Sequence, residues 1–543
     1  MKFGLKFVSL VILIFVSALL LCACAGESSP SDKKGTLEPL TTLGTTSEVV
    51  TNGNSSTTAS SHTHVATATK GKEATCTEDG LTDGSICEIC GEVLKEQEVI
   101  KAPGHVEQVI PGREATKTED GYTEMVKCSV CDKTLVPRYQ IPATGVWSGS
   151  VAKAFAGGTG TESDPYLISN GDQLALLAKS INESDNNAYY NKHYKLTDNI
   201  DLGGREWDPI GCNATGKNTY SASRIFCGVF DGNGFTVSNF KIRSPKKSYY
   251  YGFGLFGCIS GATVKNLGVT DFMIDVTNKE NIKNCAAGGI SGVCSSKSVI
   301  TDCYTKGTIN AKTSVKDTNA CAGGIVGTMG TAQITNCYTD VAVSAYIGAI
   351  TNNNGRAYMG GIVGYASDAS KSSESNIFNC ASVGTVSSNP LCETYAGGIV
   401  GLLREYCNVK NCYSASDITA ESSAFVYVGG IAGATFGKNS SIASCVYTGN
   451  AKAVSAKGKA YISDVVSYKP SNVQPVSCYR LKGVSIKASG NEPIYEISGA
   501  ECELITLNSG DFYTSSLGWD TSVWELSSLN ILDGKHPRMK AWN

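Results

Sequence analysis

The chain has 543 residues, a formal net charge of −3 and only 17% charged residues. That length allows several domains, and that charge balance leaves no basic footprint for nucleic acid. Only five histidines are present (His62, His64, His105, His193 and His536), and none forms the His-Glu-x-x-His pattern of a zinc peptidase.

Residues 1–23 open with Met1-Lys-Phe-Gly-Leu-Lys and continue into an apolar run ending at Leu21. A basic start, an apolar middle and a small-residue end make an export signal. Leu21-Cys22-Ala23-Cys24 resembles a bacterial lipobox, which implies lipidation of Cys24, the cysteine preceded by small Ala23. Several acyl chains there would hold the protein on the membrane stably. Cleavage after Ala25 and an uncleaved anchor helix are the alternatives, and all three readings place the rest of the chain outside the cytoplasm. Residues 24–61 are Ser/Thr-rich, too poor in large apolar residues for a core, and read as a disordered tether.

An offset of 41 residues then superposes two modules, 62–104 and 105–146: His64 falls on His105, and Cys87 and Cys90 fall on Cys128 and Cys131. The first copy offers His64, Cys76, Cys87 and Cys90, a Cys₃His set suited to tetrahedral zinc. The second offers His105, Cys128 and Cys131, with Lys117 at the register of Cys76. Modules this small need a staple. Structural zinc and a Cys-x-x-Cys disulfide are the two choices. Glu-Ala-Thr-x-Thr-Glu-x-Gly followed by Cys-x-x-Cys resembles a short repeat of surface proteins from Gram-positive anaerobes, which implies a spacer or stalk.

From residue 157 the pattern changes again. Ser169-x-x-Asp172 reads as a capping box, and Leu174, Leu177, Ala178 and Ile181 follow at helical spacing. Gly-Gly-Ile-x-Gly then recurs at Gly288, Gly323, Gly360, Gly397 and Gly429, at intervals of 32 to 37 residues. Each copy is followed by an apolar residue, two variable positions and a cysteine. Self-similarity at this period predicts a solenoid over 157–500, with an N-terminal helical cap and a C-terminal cap at 501–543. The short polar residue before each cysteine (Asp302, Asn336, Asn379, Asn411 or Ser444) suits a sharp corner and would stack into a polar ladder.

Gly254-Leu-Phe-Gly, the five Gly-Gly-Ile-x-Gly segments, the Asn-Cys-Tyr strands and the Leu517-Gly-Trp-Asp end resemble GLUG-motif repeats. The resemblance spans roughly 157–543. It implies a right-handed parallel β-helix of bacterial surface proteins, found also in the non-catalytic region of IgA-specific metallopeptidases, and no particular ligand. The expected fold is therefore mainly β: a parallel β-helix with short helical caps, behind two small Cys-x-x-Cys β modules and a tether.

Two columns follow from the register. Cys303, Cys337, Cys380, Cys412, Cys445 and Cys478 would stack ~4.8 Å apart. In-register side chains fit a disulfide torsion poorly, so buried thiols are expected. Outside the signal and the modules fifteen cysteines remain, an odd number that cannot all pair. Tyr304, Tyr338, Tyr413 and Tyr479 each follow such a cysteine and would point outward. That row is the candidate ligand face for a glycan or protein, its alternative being an aromatic ladder that stiffens the surface. Asp198, Asp201, Asp208 and Asp231 gather in the first rungs and read as turn residues. The expected function is a surface-anchored, non-enzymatic binding or adhesion protein. A carbohydrate-active β-helix enzyme using those carboxylates is the alternative.

Overall fold

The computed structural model describes residues 62–114, 121–141, 145–183, 188–211, 224–243, 252–279, 284–348, 354–367, 369–388 and 391–542. Cys24, the expected lipidation site, the expected tether and Lys117 lie outside them. Two compact units emerge, one holding both cysteine modules and the other the remainder of the chain.

In the first unit each module is a three-stranded antiparallel sheet: Ala66–Thr69, Gly84–Cys87 and Val93–Lys95, then Glu107–Ile110, Met125–Cys128 and Thr134–Val136. The offset holds in three dimensions, since Ala66 pairs with Cys87 and Glu107 with Cys128. Each Cys-x-x-Cys occupies the tight turn between the second and third strands. There the Gly91 N–H donates to the Cys87 carbonyl at 2.8 Å and the Asp132 N–H to that of Cys128 at 2.9 Å. Gly91 and Asp132 carry the positive φ such a turn demands.

The second unit is a parallel β-solenoid of about eight turns. Gly288 pairs with Gly323, Gly323 with Gly360, Gly360 with Gly397, and Gly397 with Gly429. A separate six-stranded parallel sheet, from Phe256–Ser260 to Ala432–Thr435, carries the chain away from each glycine pair. These glycines recur because of space and not because of φ within the stack. A Cβ on Gly361 would lie 2.1 Å from the Gly398 carbonyl oxygen, and one on Gly364 2.8 Å from the Ala322 nitrogen. Successive turns therefore approach backbone to backbone.

The corner before each cysteine is left-handed, as its short polar residues suggest: φ is 52° at Asp302, 54° at Asn336, 52° at Asn379 and 54° at Asn411. Their side chains form the expected ladder, Asn336 Nδ2 donating to Asp302 Oδ1 (3.0 Å), Asn379 to Asn336 (3.1 Å) and Asn411 to Asn379 (3.2 Å). The cysteine that follows points inward and is fully buried in every turn from Cys303 to Cys445. No disulfide links the described cysteines. Each column thiol donates instead to a nearby carbonyl, as Cys303 does to Thr301 at 3.2 Å. Burial pushes the thiols of Cys285, Cys294 and Cys321 up to about 12.

Helix Gly171–Glu183 covers the first turn with Leu174, Leu177 and Ile181 facing the core. Its cap is one residue later than the sequence pattern indicates. Asn170 Oδ1 accepts from the Gln173 N–H at 3.1 Å, and Gln173 Oε1 accepts from the Ser169 N–H at 2.8 Å. Asp172 accepts from the Ser150 hydroxyl instead. The cap also starts earlier than residue 157, because Val146 bridges to Asp201 in parallel and Trp147 packs edge-on to Trp207. At the far end Asp464 stands one place after the register of Gly429, with no side-chain exposure. It pairs with Arg480 at 3.2 Å and accepts from the N–H groups of Ser498 and Gly499, ending the glycine stack on a charged, hydrogen-bonded carboxylate.

Candidate functional site

The cysteine modules have almost no apolar core. Among their described residues the buried hydrophobic class holds only Cys76, Cys87, Val126 and Cys128, while Ile86, Ile89, Val93, Val109 and Val130 are exposed. Thiols occupy the place where a larger domain would put leucines and valines.

Those thiols converge with histidines in two groups, His62–His64–Cys87–Cys90 and Cys76–His105–Cys128–Cys131, each with all its ligand atoms within 4.8 Å of one another. In the first, His64 Nδ1 lies 3.5 Å from Cys90 Sγ and His62 Nε2 3.4 Å from Cys87 Sγ. In the second, His105 Nδ1 lies 3.4 Å from Cys131 Sγ and Cys76 Sγ 3.7 Å from Cys128 Sγ. Tetrahedral zinc with bonds of about 2.3 Å to sulfur and about 2.0 Å to nitrogen requires S···N edges of about 3.5 Å and S···S edges of about 3.8 Å. The donor set and its spacing therefore fit zinc. The other ring nitrogen of His64 sits 3.4 Å from Glu92 Oε2, the carboxylate partner that orients a metal-binding imidazole.

Burial opposes ionisation of Cys87, but the Cys90 N–H and the His64 and His62 side chains outweigh it and bring the thiol down to about 5. Cys128 reaches about 5 in the same way, through the N–H groups of Cys131 and Val130 and the His105 ring. Cys76, desolvated and beside the Cys128 and Cys131 sulfurs, is pushed up to about 11.

The ligand sets differ from those the sequence offset assigns. Cys76 leaves the first module's set and completes the second module's. His62, which the offset passes over because Pro103 stands at its register, takes the vacant place. The signal for it was the His62-x-His64 pair just before the first strand, whose two rings lie 4.9 Å apart.

The tyrosine row is not an open ligand face. Tyr413 is fully buried, and Tyr338 and Tyr479 pack against the hydrophobic cluster of the C-terminal segment, which includes Phe512, Tyr513, Trp519 and Trp524. Tyr479 meets Phe512 edge-to-face at 5.1 Å, and the Tyr413 hydroxyl lies 2.8 Å from His536 Nδ1. Tyr304 is partly buried, its ring filling the space over Gly268. The strands do turn these side chains away from the core. Residues 501–542 then fold back over Tyr338, Tyr413 and Tyr479, because a row of outward aromatics is itself an apolar surface to be covered.

A second row, two residues before the glycine pair, lies elsewhere. Tyr358, Tyr395, Tyr427 and Tyr461 stack at ring-centroid distances of 5.3, 4.7 and 4.9 Å. Tyr365 and Phe436 pack beside them, and Phe425 and Tyr468 are each 41% exposed at the margin.

The early carboxylates serve turns, as expected. Asp201 Oδ1 accepts from the Gly203 N–H and from Asn239 Nδ2; Asp231 Oδ1 accepts from the Asn233 N–H and from Asn266 Nδ2; Asp198 accepts from the Asn199 N–H. Asp208 alone of the four borders a cleft of about 310 Å³, beside Trp147, Lys179, Glu206 and Trp207. Glu206 there is paired with Arg243 at 3.0 Å.

No family model matches the chain. A 155-residue stretch, 27% of the chain, is 32% identical to a protein of Evansella cellulosilytica named as a Gly-rich membrane protein, and covers 16% of it. Another 173-residue match is 31% identical to halomucin of Haloquadratum walsbyi, covering 2% of that protein. The chain thus spans a small part of the curated relatives it matches. Among solved structures, a Bacteroides ovatus protein named for an immunoglobulin A1 protease matches 71% of this chain and 95% of its own, at 19% identity and a TM-score of 0.45. A second, named IgA1 protease, matches 83% of this chain and 30% of its own, at 13% identity and a TM-score of 0.41. No helix among the described residues is long and apolar enough to cross a membrane.

Proposed function

We propose that this chain is a surface-displayed, non-enzymatic binding protein. In this reading a lipid on Cys24 anchors it, the two cysteine modules form a zinc-stapled spacer, and the solenoid binds an extended glycan or protein ligand. One observation carries the reading: in consecutive turns Tyr358 pairs with Tyr395 and Tyr395 with Tyr427, so one side chain becomes a continuous row. Repetition of that kind suits a polymer that crosses several turns. The names of the two curated relatives, a membrane protein and a mucin, accord with a surface role.

The face moves from the covered tyrosine row to the margin of the second one. Ring faces within the stack are occupied by one another, so a ligand would meet Phe425, Phe436, Tyr461 and Tyr468. The test is to screen the exported protein against glycan arrays and host matrix proteins. Phe425→Ala and Tyr468→Ala should each weaken capture several-fold, while Tyr413→Phe should leave it unchanged. Breakdown of any polysaccharide that disappears with Asp208→Asn would replace this reading with the carbohydrate-active enzyme.

A further inference from the structure

The two cysteine modules repeat every 41 residues, yet their metal-ligand sets do not. Three ligands obey the repeat: His64, Cys87 and Cys90 in the first module correspond to His105, Cys128 and Cys131 in the second. The same ring nitrogen, Nδ1, faces the second cysteine in both. Only the fourth ligand changes, and in both sites it lies against the equivalent sulfur, His62 against Cys87 and Cys76 against Cys128.

Cys76 belongs to the first module by sequence and fold. It sits in a turn where the Thr75 N–H donates to the Glu78 carbonyl at 3.0 Å and Thr75 Oγ1 accepts from the Glu78 N–H at 3.0 Å. That turn delivers its sulfur, 52 residues along the chain, to the second module's cysteine turn. Each end of the pair is written to match. No cysteine module stands before the first between residues 24 and 61, and His62 fills its fourth place. The second has nothing after it to receive one, and Lys117 replaces the donor cysteine.

We infer that the second metal is an inter-module clamp. The first module passes the cysteine of its Thr-Cys-Thr-Glu turn forward to complete the tetrahedral zinc site of the second, and the pair begins with a substitute histidine and ends with a non-ligand. This rests on the zinc reading given above. The first site, His₂Cys₂, closes within one module. The second, Cys₃His, cannot close without both.

The logic resembles that of the solenoid, where no turn is complete alone, but the currency is coordination and not apolar area. Metal at the second site must order the Thr75–Glu78 turn as well as the second module's own hairpin. Metal at the first orders only its own hairpin.

The experiment uses the chain lacking residues 1–23, prepared reduced and loaded with Co²⁺ in place of Zn²⁺. Wild type should bind two equivalents with tetrahedral spectra, one site of each ligand class. Cys76→Ser and Cys128→Ser should each remove the same Cys₃His signal, and the double variant should lose no more than either single one. His62→Ala should remove only the His₂Cys₂ signal, and Cys76→His should restore a second site with an altered spectrum. Hydrogen exchange supplies a readout that does not depend on colour: Cys128→Ser should deprotect the Thr75–Glu78 turn in the other module. If Cys76→Ser removes the His₂Cys₂ signal instead, the clamp is wrong while the zinc reading stands. If the wild type binds no metal, or holds Cys87–Cys90 as a disulfide, both fail together.

Discussion

The solenoid and the cysteine modules face one difficulty, a repeating unit too small to stand alone, and meet it by different means. A solenoid turn hands its open edge and apolar face to the next turn, so stability accumulates with number. Gly361, Asn379 and Cys380 show what this demands: no Cβ where backbones touch, a left-handed corner, and a small buried side chain. The modules have two copies and no such face, and their exposed Val93, Val109 and Val130 show that burial is not what orders them. In the zinc reading proposed above, coordination replaces it. The lesson is that periodic sequence marks a unit incomplete by itself, and the residues that break the period show how the array is closed.

The largest test of this contrast is removal of metal. Apparent binding free energies for structural zinc in small peptides are about 10–16 kcal/mol, so a chelator should abolish amide protection in residues 62–114 and 121–141. The solenoid should keep its protection, because no described residue of it belongs to either cluster. Hydrogen exchange on the intact chain reads both regions at once. Loss of protection in the solenoid, or none in the modules, would break the contrast.

A smaller effect sharpens it at the solenoid's end. Asp464 is fully buried among Arg480 and the N–H groups of Ser498 and Gly499, one place after the register of Gly429. Asp464→Ala leaves the Ser498 and Gly499 N–H groups without that acceptor, while Arg480 keeps Glu501 at 2.9 Å, so the cost is about 1–3 kcal/mol. Thermal unfolding should show the loss, and exchange should place it in the last turns. An unchanged melting temperature would mean that the ending is held by apolar packing alone.

Much of the solenoid was legible because its constraints are local and repeated. Positive φ at Asn336, Asn379 and Asn411 selects short polar side chains, and the same choice appears at each interval. Buried thiols were legible for the same reason, from alternation along the strand. The tyrosine row was read correctly as turned from the core and wrongly as open. What covers it, Phe512, Tyr513 and Trp519, lies in a non-repeating segment whose packing no period records. In the modules, superposing the copies placed six of the eight clustered residues in the groups where they stand. It put Cys76 with the first group, whereas the fold sets it in the second, and it passed over His62, because an offset assumes that each copy uses its own residues.

The smallest effect concerns that covering segment. His536 is largely shielded, and desolvation, with Arg538 nearby, lowers its pKa from the ordinary 6.5 to about 4. Its Nδ1 lies 2.8 Å from the Tyr413 hydroxyl, which also contacts Thr448 Oγ1 at 2.7 Å; a neutral imidazole with unprotonated Nδ1 can accept there, whereas a protonated one can only donate. The sign follows from the depressed value. The unfolded chain takes up the proton first as pH falls, so the stability contributed by neutral His536 is full above about pH 6.5 and is lost as pH falls from there through about 4. Acidification should therefore loosen residues 501–542 before it loosens the turns beneath, an effect on the order of 1 kcal/mol given the partial exposure. Trp519 and Trp524, stacked at 4.2 Å within the segment, report it by fluorescence. His536→Gln keeps an acceptor but does not titrate and should flatten the response between pH 6.5 and 4.5. A wild-type signal already flat over that range would show that the cover is as firmly bound as the turns it lies on, and that the boundary between repeating and non-repeating packing carries no energetic seam.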